Sequence, residues 1–195
     1  MRIIVQRVLS GSVTKVESGE VVGKIGKGLL LYFGINEEDK ESDIDGAVNK
    51  VLKMKLWDSE DGKRWSKSVM DMGYEVLVVS QFTLYAVLNG TKPDFHKSMR
   101  AEKSHPFYDL VVKRFKELYA EDKIQIGAFG QYMKISTEVD GPVNIIVDYP
   151  KETENNQKQQ KQSKGKSQVT SGTKKVNPKK ISQKETESCL KEEKK

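Results

Sequence analysis

The chain has 195 residues, with 34 Lys and Arg against 28 Asp and Glu, a net charge of +6. The excess is local: residues 151–195 carry 13 lysines and 6 acidic residues, whereas residues 1–150 carry 21 basic and 22 acidic ones. The near-neutral body excludes a domain built as a basic nucleic-acid binder, and the lone Cys189 excludes an intrachain disulfide framework or a thiolate zinc cluster. No run of eighteen apolar residues suits a membrane span, and the opening MRIIVQRVLSGSV is too short in apolar residues for a secretory signal, so the cytosol is the expected compartment.

Met1 to Leu9 alternates apolar and polar residues and predicts a first strand. SVTKVESGEVVGKIG then predicts two short strands about a turn at Ser18-Gly19. GKIGKG (23–28) lacks the Gly-Lys-Ser/Thr ending of a phosphate-binding loop and predicts a turn. GLLLYFGI (28–35) is near-continuously apolar, the pattern of a strand covered on both faces. Ile44, Val48, Val51 and Leu52 keep helical spacing, and Ser42 three positions before Asp45 resembles a cap for that helix. YEVLVVSQFTLY (74–85) predicts another strand, followed by the loop VLNGTKPDFHKSM. A second helix is expected to start near Ser104-His105-Pro106, with the proline in its first turn and Phe107, Leu110, Val111, Phe115 and Leu118 as its apolar stripe. Residues 124–139 and 143–149 predict the last strands. The sum is one α+β domain over residues 1–150: a curved, mostly antiparallel, barrel-like sheet with two helices on one side. Residues 151–195 have no aromatic residue and scarcely an aliphatic one, which predicts a disordered Lys-rich tail.

Within residues 74–85 the apolar run Val76–Val79 gives way to Ser80-Gln81, and Thr83 stands between Phe82 and Leu84. An unpartnered hydroxyl or amide in a buried strand costs about 1–3 kcal/mol. These residues therefore either stitch the strand end to a neighbour or line a site. Familiar catalytic motifs are missing: there is no Gly-x-Ser-x-Gly and no His-Glu-x-x-His, and neither His96 nor His105 has the spacing of a zinc ligand pair. Ser80, His96 and an aspartate form a triad only on paper, since nothing in the sequence places them together. An enzyme made from these residues needs an intrinsically reactive substrate, or one that brings its own assisting group. Main-chain N–H donors then carry much of the stabilisation, one oxyanion donor being worth roughly 3–4 kcal/mol. No cofactor and no metal is expected.

SQFTL (80–84), NGTKPDFH (89–96) and DGPVN (140–144), with QRV (6–8), RWSKSVMD (64–71) and FGQYM (129–133), closely resemble the D-aminoacyl-tRNA deacylase family, in order and almost without gaps from residue 1 to about 149. The resemblance implies hydrolysis of the ester that joins a D-amino acid, or a mischarged glycine, to the terminal adenosine of tRNA. It agrees with the missing motifs, because an aminoacyl ester is activated and the neighbouring ribose 2′-hydroxyl can assist proton transfer. It implies that Ser80, Gln81, Phe82 and Thr83 rim the catalytic pocket, with the N–H groups near Phe82 and Thr83 facing the developing oxyanion. Ser80 and Gln81 then hold the geometry, and Thr83 is a positioning hydroxyl rather than a nucleophile, no base being evident beside it.

Read from its residues alone, Gly141-Pro142 is a turn between two strands. The resemblance makes it a cis dipeptide that enters the partner subunit's site, holds the substrate α-ammonium on its carbonyls and sterically excludes L side chains. That arrangement implies a two-fold homodimer. The resemblance also puts Phe129 and Gly130 beside the terminal adenine, Met133 beside the aminoacyl end and Arg7 near the Gly-Pro loop. On residues alone, Phe129 is equally a core ring and Arg7 a strand-surface charge.

The family pattern around the loop is Asn-x-Gly-Pro-x-Thr, and here Val139 and Asn144 take the outer places. Val139 forgoes a hydrogen bond to the loop, worth on the order of 1 kcal/mol, and Asn144 offers a longer amide in place of a compact hydroxyl. Phe82 favours the D-specific class over a related class of deacylases. A second reading makes the fold a dimeric platform for a nucleic-acid-binding tail, whose Lys pairs attract phosphates or resemble a nuclear localisation signal. The tail lacks aromatic stacking residues, however, and a plain solubilising role is the third alternative.

Overall fold

A computed structural model of the chain describes residues 1–150, so the expectations for the tail lie outside the described residues. Strand β1 (Arg2–Lys15) is the one on which the sheet is assembled. Its first half pairs antiparallel with β3 (Gly28–Gly34), from Arg2↔Gly34 to Val8↔Gly28, and its second half with β2 (Val21–Ile25). Its other flank is taken along the whole length by β8 (Met133–Asp148). From β3 the chain crosses through helix α1 (Ile44–Leu52) to β4 (Glu75–Ser80), which lies parallel to β3. A short hairpin, β5 (Val87–Asn89) and β6 (Lys92–Asp94), precedes helix α2 (Ala101–Leu118), which crosses to β7 (Ile124–Ile126), parallel to β4.

The two helical crossovers make the sheet mixed, which corrects the mostly antiparallel expectation: two parallel pairs stand beside three antiparallel ones in the main sheet. The sheet also curls until β7 meets β2. A Cβ on Gly23 would lie 2.4 Å from the Ile126 carbonyl oxygen, so the approach that nearly closes the barrel admits only glycine.

Strand alternation sorts the core into two layers. Ile3 and Val5 of β1, Leu29, Leu31 and Phe33 of β3, and Val76 and Val78 of β4 face both helices. Val8, Val13, Ile25, Leu30, Leu77 and Val79 fill the inside of the curl. β3 is thus covered on both faces, as its unbroken apolar run predicts.

Several boundaries differ from the sequence reading. β1 continues through Lys15, so the expected hairpin at 12–25 is the far half of β1 with β2. Ser42 caps nothing; it lies in a 3-10 turn (Glu41–Asp43) and α1 begins without a side-chain cap bond. β4 stops at Ser80, and Phe82–Tyr85 forms a 3-10 turn instead of more strand. α2 begins at Ala101, which puts Pro106 in the second turn, where its missing N–H withholds a bond from the Glu102 carbonyl. The strand expected over 124–139 is divided into β7 and the start of β8.

At the start of the parallel pair, a Cβ on Gly28 would lie 1.9 Å from the Glu75 carbonyl oxygen and 2.7 Å from its carbon. Backbone cannot rotate away as a side chain can. Gly28→Ala is expected to destabilise the protein by about 3 kcal/mol, the upper end of overpacking costs. Urea denaturation checks this, and a midpoint unchanged from wild type would refute the close β3–β4 approach.

Candidate active site

The carboxyl ends of the parallel strands β3, β4 and β7 share one rim, the position where ligand sites form in parallel sheets. β4 ends level with Phe33, whose carbonyl accepts the N–H of Gln81 (2.9 Å). The chain then tightens into the 3-10 turn, closed by Ala86 N–H on the Thr83 carbonyl (3.1 Å). Gln81 Nε2 donates to Thr83 Oγ1 at 2.5 Å. Ser98 Oγ donates to the Phe82 carbonyl (2.7 Å), and the Phe82 ring, 57% exposed, stands edge-on to Phe95 at 5.0 Å. Being first in their turn, the N–H groups of Phe82 and Thr83 have no acceptor among the described residues. Two open main-chain donors therefore lie beside a hydroxyl already engaged by an amide. This rim is suited to an oxygen that gains negative charge.

A second wall comes from the loop between β7 and β8. Gly127 N–H (2.9 Å) and the Tyr108 hydroxyl (2.8 Å) both donate to the Val78 carbonyl. Burial pushes the Tyr108 phenol well above its ordinary pKa, which keeps it a donor. Ala128 N–H points at Met133 Sδ (3.1 Å), and Met133 and Val79 converge on Gly127 at the edge of the inner layer. Phe129 is half-buried against the helix-facing core, so it is in part the core ring that its residue type suggested, and Gly130 beside it is exposed with φ +69°. Ser80, Gln81, Phe82, Thr83, Phe129, Gly130 and Met133 thus gather at one end of the sheet. Ser80 makes no hydrogen bond to His96 among the described residues, so the triad is not formed; His96 Nδ1 lies 2.8 Å from Asp94 Oδ1, which also accepts its backbone N–H.

Arg7, Gly141 and Pro142 lie elsewhere. Between the paired positions Gln6↔Asn144 and Val8↔Val139, Arg7 alone faces four residues of β8, Asp140 to Val143. The surplus projects as a bulge with a cis, exposed Gly141-Pro142 at its tip. Arg7 is no surface charge, its side chain being only 17% exposed. Nη1 donates to the Leu56 carbonyl (2.6 Å), and the guanidinium lies 6.0 Å from the Trp57 ring. Nε is 3.0 Å from Asp140 Oδ2 but off the N–H axis, so the contact is an ion pair and not a hydrogen bond. Asn144 Oδ1 accepts from Gln6 Nε2 (2.9 Å) on the flank of the bulge.

The ladder also sets how far apart the two groups are. Ser80 is level with Phe33 and Ile3, whereas the bulge is level with Arg7, four residues on. That separates them by about 13 Å along the strands alone, at ~3.3 Å per residue, and β8 is on the opposite flank of β1 from β4. Within one chain, Gly141-Pro142 is exposed and makes no hydrogen bond to residues 80–83.

Three features escape the sequence reading: the Arg7–Asp140 pair, the Gln6–Asn144 bond and the stacking of His105 on Phe129. The first two depend on β1–β8 register. Sequence places His105 only at the start of the second helix, without the spacing of a metal ligand, and no spacing links it to Phe129.

A solved chain reported as "Structural Analysis of a probable eukaryotic D-amino acid tRNA deacylase" shares this fold, at 16% identity and a TM-score of 0.64 over 75% of the present chain and 98% of that one. A sequence profile of the D-Tyr-tRNA(Tyr) deacylase family matches residues 4–148, and the chain belongs to that family. It is 43% identical to mouse D-aminoacyl-tRNA deacylase 1 over 150 residues (77% of this chain, 71% of the mouse protein) and 42% identical to the Drosophila melanogaster D-aminoacyl-tRNA deacylase over 152 residues (78% and 94%). A solved structure reported as "c-Myc DNA Unwinding Element Binding Protein" is 43% identical, with a TM-score of 0.73 over 77% of this chain and 99% of that one. The protein is accordingly a hydrolase of the D-aminoacyl-tRNA deacylase type.

The Gln6–Asn144 bond can be measured independently of activity. A double-mutant cycle with Gln6→Ala and Asn144→Ala, read by chemical denaturation, is expected to give a coupling of about 0.5–1 kcal/mol. Additive losses would mean that the two amides do not hold each other.

Proposed function

We propose that the protein hydrolyses D-aminoacyl-tRNA at a site completed by a second copy of the chain, and that mischarged glycyl-tRNA is a further substrate. Water adds to the ester carbonyl, the N–H groups of Phe82 and Thr83 hold the resulting oxyanion, and the C–O bond to the ribose breaks. The ribose oxygen leaves with a proton relayed through the neighbouring 2′-hydroxyl, giving tRNA and a free amino acid. Ser80 and Gln81 keep the turn in shape, and Gln81 fixes the Thr83 hydroxyl as a positioning group. The carbonyls of Gly141-Pro142 receive the α-ammonium, and the dipeptide occupies the space that an L side chain would need.

The carrying observation is the separation of the two groups of site residues within one chain. A two-fold copy supplies the missing half. The surface offered to it is β8, a 16-residue edge strand whose outer side pairs with nothing among the described residues. Such an edge is a ready template for another chain, and here it exposes Val139, Ile145 and Ile146. Cytosolic tRNA is the natural substrate pool for a protein of this composition.

Gln81 is extended (φ −147°, ψ 91°), the backbone that a following proline needs, so Phe82→Pro removes one N–H while leaving the turn feasible. It is expected to lower kcat on D-Tyr-tRNA by roughly 10²–10³-fold, with Phe82→Leu near wild type and L-Tyr-tRNA spared throughout. Equal hydrolysis of both isomers by wild type would defeat the chiral reading. Gly141→Val, at φ +114°, distorts the other half of the site. Co-expressed with Phe82→Pro, it is expected to recover about a quarter of wild-type activity, because half the dimers are mixed and each holds one intact site. Failure of the mixture to exceed either single variant would refute the shared site.

The charge of residues 151–195 favours a second role. With 13 lysines against 6 acidic residues, they suit a sequence-independent hold on phosphates. Removing them is expected to abolish salt-dependent nucleic-acid binding and leave D-Tyr-tRNA hydrolysis intact. A salt slope retained by the shortened chain would place that binding in residues 1–150.

A further inference from the structure

Phe129 is not the outermost ring at its end of the sheet. The imidazole of His105 lies over it, with ring centroids 4.4 Å apart and planes 3° from parallel. On the core side the Tyr108 ring, from the next turn of α2, approaches Phe129 at 5.6 Å and 39°. Phe129 is thus held between a ring fixed to the Val78 carbonyl and a ring open to solvent. The His105 side chain is 59% exposed, and the charge facing it is the Asp109 carboxylate one turn on, 4.0 Å from Nε2. An exposed helix side chain has many solvated rotamers available. This one instead lies flat on an aromatic face, and its own outer face is left as the accessible surface.

We infer that His105 is the base-stacking residue of the site: the terminal base of the RNA 3′ end stacks on the imidazole, with Phe129 as the layer beneath. The inference rests on residues 80–83 being the hydrolytic centre, and it moves the contact with the base from Phe129 to a residue on α2. The placement suits a nucleoside. Tyr108 and Gly127, which carry the stack, are both tied to Val78, two residues before Ser80, so the stack and the turn at residues 82–85 lie at the same end of β4. Stacking on a flat ring is insensitive to base identity and strong enough to orient a strand end, while the imidazole nitrogens leave hydrogen-bonding edges for ribose hydroxyls.

The test uses the full chain and a tRNA whose terminal adenine is replaced by 2-aminopurine, with a D-amino acid attached through a non-hydrolysable amide. Stacking quenches 2-aminopurine, so wild type is expected to quench it on binding, His105→Ala to lose the quench, and His105→Phe to restore it. With D-Tyr-tRNA as substrate, His105→Ala is expected to raise KM roughly 5- to 100-fold, the range of base–aromatic stacking, with kcat within about twofold and Phe rescuing KM. Unchanged quench and KM in His105→Ala would overturn the inference, leaving His105 a cover for Phe129. A lower KM would also overturn it, because the base would then stack on Phe129 in competition with His105. His105-dependent quenching by a wild-type protein that hydrolyses nothing would uphold the platform and sink only the hydrolytic reading.

Discussion

One arginine facing four residues across a strand pair sets the shape of half the molecule. A common β-bulge adds a single residue to one strand; opposite Arg7 the surplus is three, so β8 must throw its chain outward. Three contacts keep that projection from becoming a loose loop. Gln6 and Asn144 bond on one flank, Val8 and Val139 pair on the other, and at the root the guanidinium bridges Asp140 and the Leu56 carbonyl. A guanidinium so largely buried would be costly to leave without its carboxylate, which fixes Asp140 in turn. The same strand therefore carries a projecting dipeptide and, along its outer side, an edge that pairs with nothing among the described residues.

The chemistry at the other end has a matching economy. Depressed carboxylates often mark active sites, yet here each is spoken for by a structural partner. Asp94 is lowered by the backbone and ring N–H groups of His96, Asp45 by Arg114, and Asp71 by Lys55 and Ser68. None belongs to the turn at residues 80–83. What that turn supplies is a pair of main-chain donors whose positions are set by a strand end, a Gln81–Thr83 bond and a Ser98 brace. Donors of that kind do not titrate and need no reorganisation as charge develops, which suits an ester already prone to hydrolysis.

Much of this is readable from local sequence, and the failures share a cause. The run Leu29–Phe33 announces a strand buried on both faces, and Ile44, Val48, Val51 and Leu52 announce α1, because burial on a periodic element leaves a periodic trace. The end of β4 leaves none: Phe82 and Leu84 alternate with polar residues as strand residues would, and the 3-10 turn is decided by Phe33, Phe95 and Ser98, all distant in sequence. Parallel pairing is likewise implicit in two strand–helix–strand crossovers, but the hairpin and long β1 draw the reading toward an antiparallel sheet. The projecting Gly141-Pro142 can be picked out by its residue types, whereas its distance from Gln81 emerges only once β1 has set both registers.

The two departures from the family pattern also look different once register is known. Val139, which cannot hydrogen-bond the loop, stands opposite Val8 in the ladder, where it stays exposed and belongs to neither core layer. Asn144 stands opposite Gln6, and its amide reaches across the ladder to accept from Gln6 Nε2. One flank of the bulge is therefore held by ladder pairing alone and the other also by a side-chain hydrogen bond, with the Arg7–Asp140 pair between them. The substitutions alter which forces pin the dipeptide rather than whether it is pinned. Both stand opposite a neighbour on β1, so the loop's geometry depends on the pairing of β1 with β8 together with the Arg7–Asp140 contact at its root.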